Sequence, residues 1–564
     1  MSDKHYLLRI IKNDYSDIIL EHISDSTESN NIEFKESTAD PLKFRGLFDG
    51  DIITYINDTP EIIERNLPKV IPGVVELFSK YKYKPNKRGV PGYIFKPLNR
   101  NFPQFIVYTK IKRKNTKNRL ITIQLGDWKS DSIFPRGELV RELGDYDNID
   151  AIELALLYYY DIYPNKTNFK LKNLNKVFLE VSSDTIPENK TLIKSKIYSI
   201  DPGGCRDIDD AFSITKNEKN VFIDIHIADV YYLLKKNNLL DKVKNTTSVY
   251  LTNSILHMID NNISTNYSSL IAKKYRPMIT LSINWDTCNN SYTYSFNKTI
   301  GKISKNYSYS NYPKWIDSYF PILENIFNKV TLNNIEIVES HKFIEALMII
   351  YNNLFTRYLI SQNRKVIYRS QKTSDKKVNY TGELGRFLNI LCSKSAEYTD
   401  DYNFHTSLNI TNYTHATSPI RRIIDLVNQS IFYGDKTFID KFKLNDINSY
   451  SKKIKKFYRK ANKLRLAKEI YVNNSKTIEC YIYSFDGEKL DIYLPKYKFN
   501  IRQKLLDSRI KDKFKVEYSS NIINITNIED NSIKIIELGK KLEIKITGKP
   551  DIYNIENSIK ISYN

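Results

Sequence analysis

Cysteine is scarce in this sequence: Cys205, Cys288, Cys392 and Cys480 are spread over 564 positions. No two have the short spacing of a zinc site or a redox motif, and the density is too low for a disulfide framework, which favours a reducing compartment. The seven histidines likewise lack a zinc-ligand spacing such as H-E-x-x-H. Long apolar runs are missing, and none approaches the ~18 residues of a membrane span. The opening stretch, MSDKHYLLRIIKNDYSD, carries charges inside its apolar part and has no small-residue cleavage site. These absences predict a chain that neither spans a membrane nor is secreted, and place it in the cytoplasm, with the nucleus as the alternative.

Acidic residues are outnumbered, 65 Asp+Glu against 86 Lys+Arg, for a formal charge of +21. Such an excess favours a polyanionic partner, nucleic acid first and an anionic membrane surface second. A solubility charge, or compositional bias in a chain rich in Asn, Ile, Lys and Tyr, gives the same number. A membrane-surface protein would need a basic amphipathic helix with bulky aromatics, which is not found. With 41% hydrophobic and 13% aromatic residues the chain does not read as disordered. Its length exceeds what one core supports, so about three to five domains are expected.

Residues 30–170 alternate short apolar runs with turn signals, as in FRGLFDGDIITYI, IPGVVELFSKYKY and PQFIVYTKIKRKNTKNRLITIQL. Two small barrels in tandem fit this pattern, and the OB-fold is the commonest small barrel that binds single strands. The basic run Lys110 to Arg119 reads as a solvated loop, a strand-binding finger or a nuclear signal. Residues 175–470 are mixed. In NVFIDIHIADV, Val221, Ile223, Ile225 and Ile227 alternate with polar positions, as a half-buried strand requires. HKFIEALMIIYNNLFTRYLIS has helical spacing, with Ser340 as N-cap. Residues 475–564 return to β-pattern, with six short strands expected: TIECYIYSF, KLDIYLPKY, NIINITNI, IKIIELG, KLEIKITG and SIKISYN.

The sharpest local feature is SIDPGGCRDIDDAF, residues 199–212, which gathers Asp201, Asp207, Asp209 and Asp210. Carboxylates this close repel one another unless cations neutralise them. Pro202, Gly203 and Gly204 give a sharp turn just after a strand, so the loop can fold back and aim several carboxylates at one place. Hard oxygen ligands suit Mg²⁺ or Mn²⁺. Two such ions ~3.5–4 Å apart activate a water and stabilise a leaving oxygen in phosphodiester hydrolysis. A calcium loop counted from Asp207 would put Phe212 where Gly is needed, and one counted from Asp201 would put Phe212 where Glu is needed. The plainer alternative is an acidic surface loop.

The second feature is YTHATSPIRRIIDLVN, residues 413–428. Ser418 as N-cap and Pro419 at N1 predict a helix whose first turn carries Arg421 and Arg422. Arginines oppose the dipole there, so two of them suggest an anionic partner. The alternative is a pair of surface arginines.

At these segments the sequence resembles a known family. SIDPGGCRDIDDAF, HIADV, SVYLTN…ISTNYSSL and YTHATSPIRR are similar to the catalytic domain of the ribonuclease II / ribonuclease R (RNB) family. The wording SIDPGGCRDIDDA looks closest to the eukaryotic branch of the exosome's exonuclease subunit and its cytoplasmic paralogues, as does TIQLGDWKSDSIFPRGELVRELGD. That subunit's N-terminal endonuclease (PIN) domain has no room here. The resemblance implies a multidomain α+β chain. It would comprise an N-terminal segment at 1–29, cold-shock-type OB barrels at 30–95 and 96–170, a mixed α/β RNB catalytic domain at 175–473, and an S1-type OB barrel at 474–564. It implies a hydrolytic 3′→5′ exoribonuclease that degrades single-stranded RNA to nucleoside 5′-monophosphates as a monomer, with protein partners open. Asp201, Asp207, Asp209 and Asp210 match the metal-binding aspartates, for two Mg²⁺ ions with Mn²⁺ as substitute, and Asp209 is also a catalytic residue. Arg421 matches the arginine that stabilises phosphate charge, and Arg422 lies beside it on the RNA. Tyr250 matches the tyrosine packing on the last nucleotide, and Glu479 a glutamate that helps place a terminal base. Where the family usually has His-Arg after the arginine helix, this chain has Gln429-Ser430, and YRSQ at 368–371 replaces another family stretch. The alternative is an RNB-fold RNA-binding regulator without catalysis.

Overall fold

The computed structural model describes residues 5–12, 17–23, 33–35, 46–56, 59–79, 83–110, 117–128, 132–163, 189–373, 380–401, 404–435, 437–506, 511–519 and 521–561. Two compact units emerge, Met1–Tyr163 with Lys452–Asn564, and Pro164–Ser451. Among the described residues, no helix is long and apolar enough to cross a membrane.

The first unit opens with strands β1 (His5–Ile10), β2 (Ile18–Ile23), β3 (Glu33–Lys35), β4 (Ile52–Ile56) and β5 (Thr59–Glu64), in sheet order β3-β2-β1-β4-β5. Leu8, Ile10, Ile18, Leu20 and Ile53 form its apolar face. Strands β6 (Ile71–Val75), β7 (Gly92–Pro97), β8 (Phe105–Tyr108), β9 (Arg119–Leu125) and β10 (Arg136–Asp145) close a barrel, β10-β8-β7-β6-β9. Its third and fifth strands run parallel and all other pairs antiparallel, the OB arrangement. Phe95, Phe105, Ile121 and Ile123 fill it. Gly73 lets the backbone of Lys96 approach: a Cβ there would lie 2.2 Å from its carbonyl oxygen.

These pairings move two boundaries. Residues 5–23, expected to precede the first barrel, belong to the five-stranded sheet with β4 and β5, and the division expected at residue 95 falls inside the closed barrel. Local alternation announces strands but carries no information on partners such as β6 and β9, which are some fifty residues apart. Of the basic run at 110–119, residues 111–116 lie outside the described residues.

Among the described residues, the C-terminal part of this unit has eight strands where six were expected. Strands β20 to β22 and β26 to β27 (Lys476–Phe485, Lys489–Leu494, Phe499–Lys504, Lys541–Gly548, Ile559–Ile561) form one sheet, and β23 to β25 (Phe514–Ser519, Ile522–Asn527, Ile533–Glu537) another. Strands FNIRQK and FKVEYS were missed because charged residues stand at their outward positions, Arg502 and Lys504 in one, Lys515 and Glu517 in the other. Both sheets share one core with Leu466, Ala467 and Ile470 of the helix Leu444–Val472.

The second unit is built on a barrel of β11 (Thr191–Asp201), β12 (Asp210–Lys216), β13 (Asn220–Ala228), β16 (Tyr275–Asp286) and β17 (Ser291–Ser308), with small ribbons β14–β15 (Val249–Tyr250, Ile255–Leu256) and β18–β19 (Tyr368–Ser370, Glu397–Thr399). Val221, Ile223, Ile225 and Ile227 are all buried, as their alternation predicts. His226, on the opposite face of the same strand, is also fully buried, between Thr280 Oγ1 at 2.8 Å and Ser213 Oγ at 3.1 Å. The strand is thus covered on both sides, because the sheet closes on itself. Helix Ser340–Ser361 packs Phe343, Leu347, Ile350 and Leu354 into the same core. Its N-cap is Glu339, and Ser340, expected as cap, instead donates its hydroxyl to Tyr309 O at 3.1 Å.

Candidate active site

Three stretches far apart in sequence meet at one end of this barrel. The first leaves β11 at Asp201 and turns at Pro202–Cys205, where Cys205 N–H donates to Pro202 O at 3.1 Å. Gly204 has φ +81°, the left-handed conformation that a type II turn needs at its third position. The loop returns against the barrel: Leu270 N–H donates to Ile208 O at 3.0 Å, and Ala228 N–H to Asp209 O at 2.9 Å. The second stretch carries Tyr250 on β14. The third is the TSPIRR segment, bound to the second where Thr247 Oγ1 and Ser248 N donate to Arg421 O at 2.8 and 3.0 Å.

Asp209 joins the first stretch to the third. Its Oδ1 accepts from Ile420 N at 2.8 Å and its Oδ2 from Arg421 Nε at 3.0 Å. Arg421 Nη2 donates to Ser418 Oγ at 2.9 Å, so the guanidinium is held at two points while its side chain stays 42% exposed. Asp207 Oδ2 accepts from the Tyr250 hydroxyl at 2.5 Å. The charge of Asp201 reaches Asp210.

The arginine segment departs from the expected helix start. The helix is Ile423–Phe432, and Arg421 and Arg422 precede it. Asp209 captures Ile420 N–H, and Asp425 Oδ1 captures Ser418 N–H at 2.7 Å. Donors that would open a helix therefore serve carboxylates, and the helix begins at Ile423 instead of Pro419. Arg422 donates through Nη2 to Asp425 Oδ1 at 2.7 Å, which turns it to the protein interior. Glu479 lies on β20 in the other compact unit, paired with Lys541 at 2.9 Å. Gln429 has a packing role: it accepts from Tyr231 N at 3.0 Å and donates to Ala228 O at 2.7 Å.

One residue of this site escaped the sequence reading. Tyr309 follows β17, and its N–H donates to Asp201 O at 3.2 Å. Burial, then the charges of Asp210 and Asp201, push its hydroxyl up to about 12. Only the parallel pairing of Asp201 with Ser308 brings it there, and no local pattern reports that pairing.

The carboxylates are short of positive charge. Burial raises Asp201 to about 6, against the hydrogen bond from Ser199 and the charge of Arg421. Burial raises Asp209 to about 7, although Arg421 and the Ile420 amide oppose it. Asp210 is raised well above the usual carboxylate range by burial and by Asp201 and Asp209. Burial, then the charges of Asp201 and Asp207, push the Cys205 thiol up to about 12, which disfavours its thiolate. Asp201 Oδ2 is buried without a hydrogen-bond partner. An orphaned carboxylate oxygen beside a second desolvated carboxylate fits a hard divalent cation. In this arrangement Asp207 and Asp209 are engaged by Tyr250 and Arg421, and among the described residues no three His, Cys, Asp or Glu side chains converge as a ligand set.

The RNB domain profile matches residues 189–321 and 379–434, the stretches that build this site. These two stretches carry an RNB domain. A Dis3-like cold-shock domain 2 profile matches residues 92–161, within the closed OB barrel and its following helix. The chain is similar to the mouse exosome complex exonuclease RRP44, 21% identical over 568 residues. That alignment takes in 84% of this chain and 58% of the mouse protein, so the chain spans little more than half of that relative's length. In fold, the chain is similar to Mycoplasma genitalium RNase R, solved in complex with ribose-methylated single-stranded RNA, with a TM-score of 0.71 at 16% identity over 99% of this chain and 100% of that one. It is also similar to yeast Ssd1, a pseudonuclease, with a TM-score of 0.59 at 13% identity over 94% and 81%. The architecture is thus multidomain α+β, with N-terminal OB-type domains, a central RNB domain and a β-barrel-like C-terminal region.

Proposed function

We propose that this chain is a metal-dependent 3′→5′ exoribonuclease that hydrolyses single-stranded RNA to nucleoside 5′-monophosphates. One observation carries the reading: Arg421, fixed by Asp209 and Ser418 yet still accessible, stands beside the desolvated pair Asp201 and Asp210. A cation held rigidly next to carboxylates that lack counter-charge is what an in-line displacement at phosphorus uses. The resemblance to proteins named as exonucleases and RNase R supports the same reaction class.

Asp201, Asp207, Asp209 and Asp210 would hold Mg²⁺ or Mn²⁺, Asp207 and Asp209 keeping their bonds to Tyr250 and Arg421. The metal, when bound, supplies a hydroxide nucleophile near neutral pH and charge for the leaving oxygen. Arg421 neutralises the charge that builds on the phosphoryl oxygens. Tyr250 offers its ring to the last nucleotide, and its bond to Asp207 sets the ring's orientation. Glu479 is the residue proposed to help place a terminal base. The basic excess draws the strand electrostatically.

The test is direct. The protein is incubated with 5′-labelled single-stranded RNA and Mg²⁺, and a ladder shortening from the 3′ end is expected, abolished by EDTA. A second reading, an RNA-binding regulator without catalysis, is favoured by the engagement of both Asp209 oxygens with protein donors and by the likeness to a pseudonuclease. It predicts RNA retention without shortening in the same assay.

A further inference from the structure

Asp201 has a second side. A cleft of about 350 Å³ opens beside it, walled by the Pro202–Cys205 turn and by Lys305, Tyr307 and Asn311. Tyr250, Asp209, Asp210 and Arg421 are absent from its lining, so it touches the carboxylate cluster at Asp201 alone. The parallel pairing of β11 and β17 builds it, setting Lys305 opposite Tyr198, and Ser308 opposite Asp201.

Its chemistry is that of a small anion with an attached ring. Lys305 is exposed, and its Nζ lies 4.9 Å from the centre of the Tyr307 ring. The Tyr307 ring lies 5.9 Å from that of Tyr198 at 42° and is half-buried. Nothing lies within 4 Å of a Cβ built on Gly203 or on Gly204. Two such glycines in succession allow an oxyanion to approach main-chain N–H groups that a side chain would screen. The volume lies in the range of small-molecule sites.

We infer that this cleft is a product-side site that holds a nucleoside 5′-monophosphate, its phosphate on Lys305 and the glycine turn and its base against Tyr307. The assignment rests on the exoribonuclease reading for the identity of the product, and on the cleft alone for the binding chemistry. A departing nucleotide and a free nucleotide from solution share this chemistry. Product inhibition of RNA shortening reports the first, and direct binding the second.

Binding of 5′-UMP to the full chain is followed by saturation-transfer NMR in EDTA, with uridine and inorganic phosphate as companion probes. 5′-UMP should bind at least tenfold more tightly than uridine. Lys305→Glu should weaken it at least fivefold, Lys305→Arg should keep it within twofold, and Tyr307→Ala should weaken 5′-UMP while sparing phosphate. The melting temperature of each variant, checked alongside, separates lost binding from lost folding. Equal binding of uridine and 5′-UMP, or indifference to Lys305→Glu in a folded variant, would overturn the site. A chain that binds 5′-UMP through Lys305 yet shortens no RNA would overturn the exoribonuclease reading and leave the cleft standing. A chain that shortens RNA but binds 5′-UMP regardless of Lys305 would do the reverse.

Discussion

Arg421 Nε donates to Asp209 Oδ2 at 3.0 Å, and this pair ties two motifs 212 residues apart. It keeps the one exposed cation of the TSPIRR segment beside the buried carboxylates. It also explains why the segment does not start a helix at Pro419, since the neighbouring Ile420 amide serves the same carboxylate.

Asp209→Asn keeps the shape and loses the charge. Its amide nitrogen would face Arg421, so the guanidinium is released. Turnover on single-stranded RNA should fall by about 10²-fold or more, the scale of losing a preorganised transition-state contact. RNA retention in a filter assay should stay within a few-fold. Near-normal turnover in Asp209→Asn would remove this residue from the chemistry.

Tyr250 combines a ring and a hydroxyl with separate duties. Tyr250→Ala removes the platform for the last nucleotide, worth about 1–3 kcal/mol for base stacking. Digestion should then stop at longer end products while long RNA still binds. Tyr250→Phe keeps the platform and deletes the 2.5 Å bond to Asp207. It should keep the end-product length of the parent and lose about three- to tenfold in turnover. Gel resolution of end products, with melting curves on the same samples, distinguishes these outcomes from a simple packing defect.

The neighbouring arginines should separate cleanly. Arg422 is paired at 2.7 Å with Asp425, whose side chain is fully buried. Arg422→Met would strand that carboxylate, a change that costs about 3–5 kcal/mol where a buried pair is broken. Arg421→Met should cut turnover with a much smaller effect on unfolding. Urea denaturation of both variants decides it, and equal midpoints would refute the division of roles.

Acidity and metal should act in opposition. Burial raises Asp201 to about 6 and Asp209 to about 7, each from an ordinary value of 3.8. A carboxylate raised by folding favours the folded state while protonated and loses that contribution as pH climbs through its folded value. In EDTA the melting temperature should therefore decline from pH 5 to pH 8 more steeply in the parent than in Asp201→Asn. Mg²⁺ competes with protons for the same oxygens, so its stabilising effect should be larger at pH 8 than at pH 5. A Mg²⁺ effect independent of pH would place the ion elsewhere.

The candidate site was legible where its chemistry is local. Four aspartates around a Pro-Gly-Gly turn announce mutually repelling carboxylates, while the TSPIRR wording announces arginines for an anionic partner and leaves the Arg421–Asp209 pair unstated. Glu479 shows the limit of wording, since its strand TIECYIYSF was foreseen while its pairing with Lys541 depends on β26, some sixty residues on.

Sequence alone determined the β-rich ends, the buried alternation of Val221 to Ile227, the long helix from Ser340 and the acidic loop, because each rests on periodicity or on neighbours within a few residues. The tertiary structure decided what depends on distant pairing. It placed residues 5–23 in the first sheet, joined Ser308 to Asp201 so that Tyr309 reaches the site, and turned Arg422 inward while Arg421 stayed accessible. Register and closure are set by contacts tens to hundreds of residues apart. A strand's own pattern records which face it buries and leaves its partner unstated.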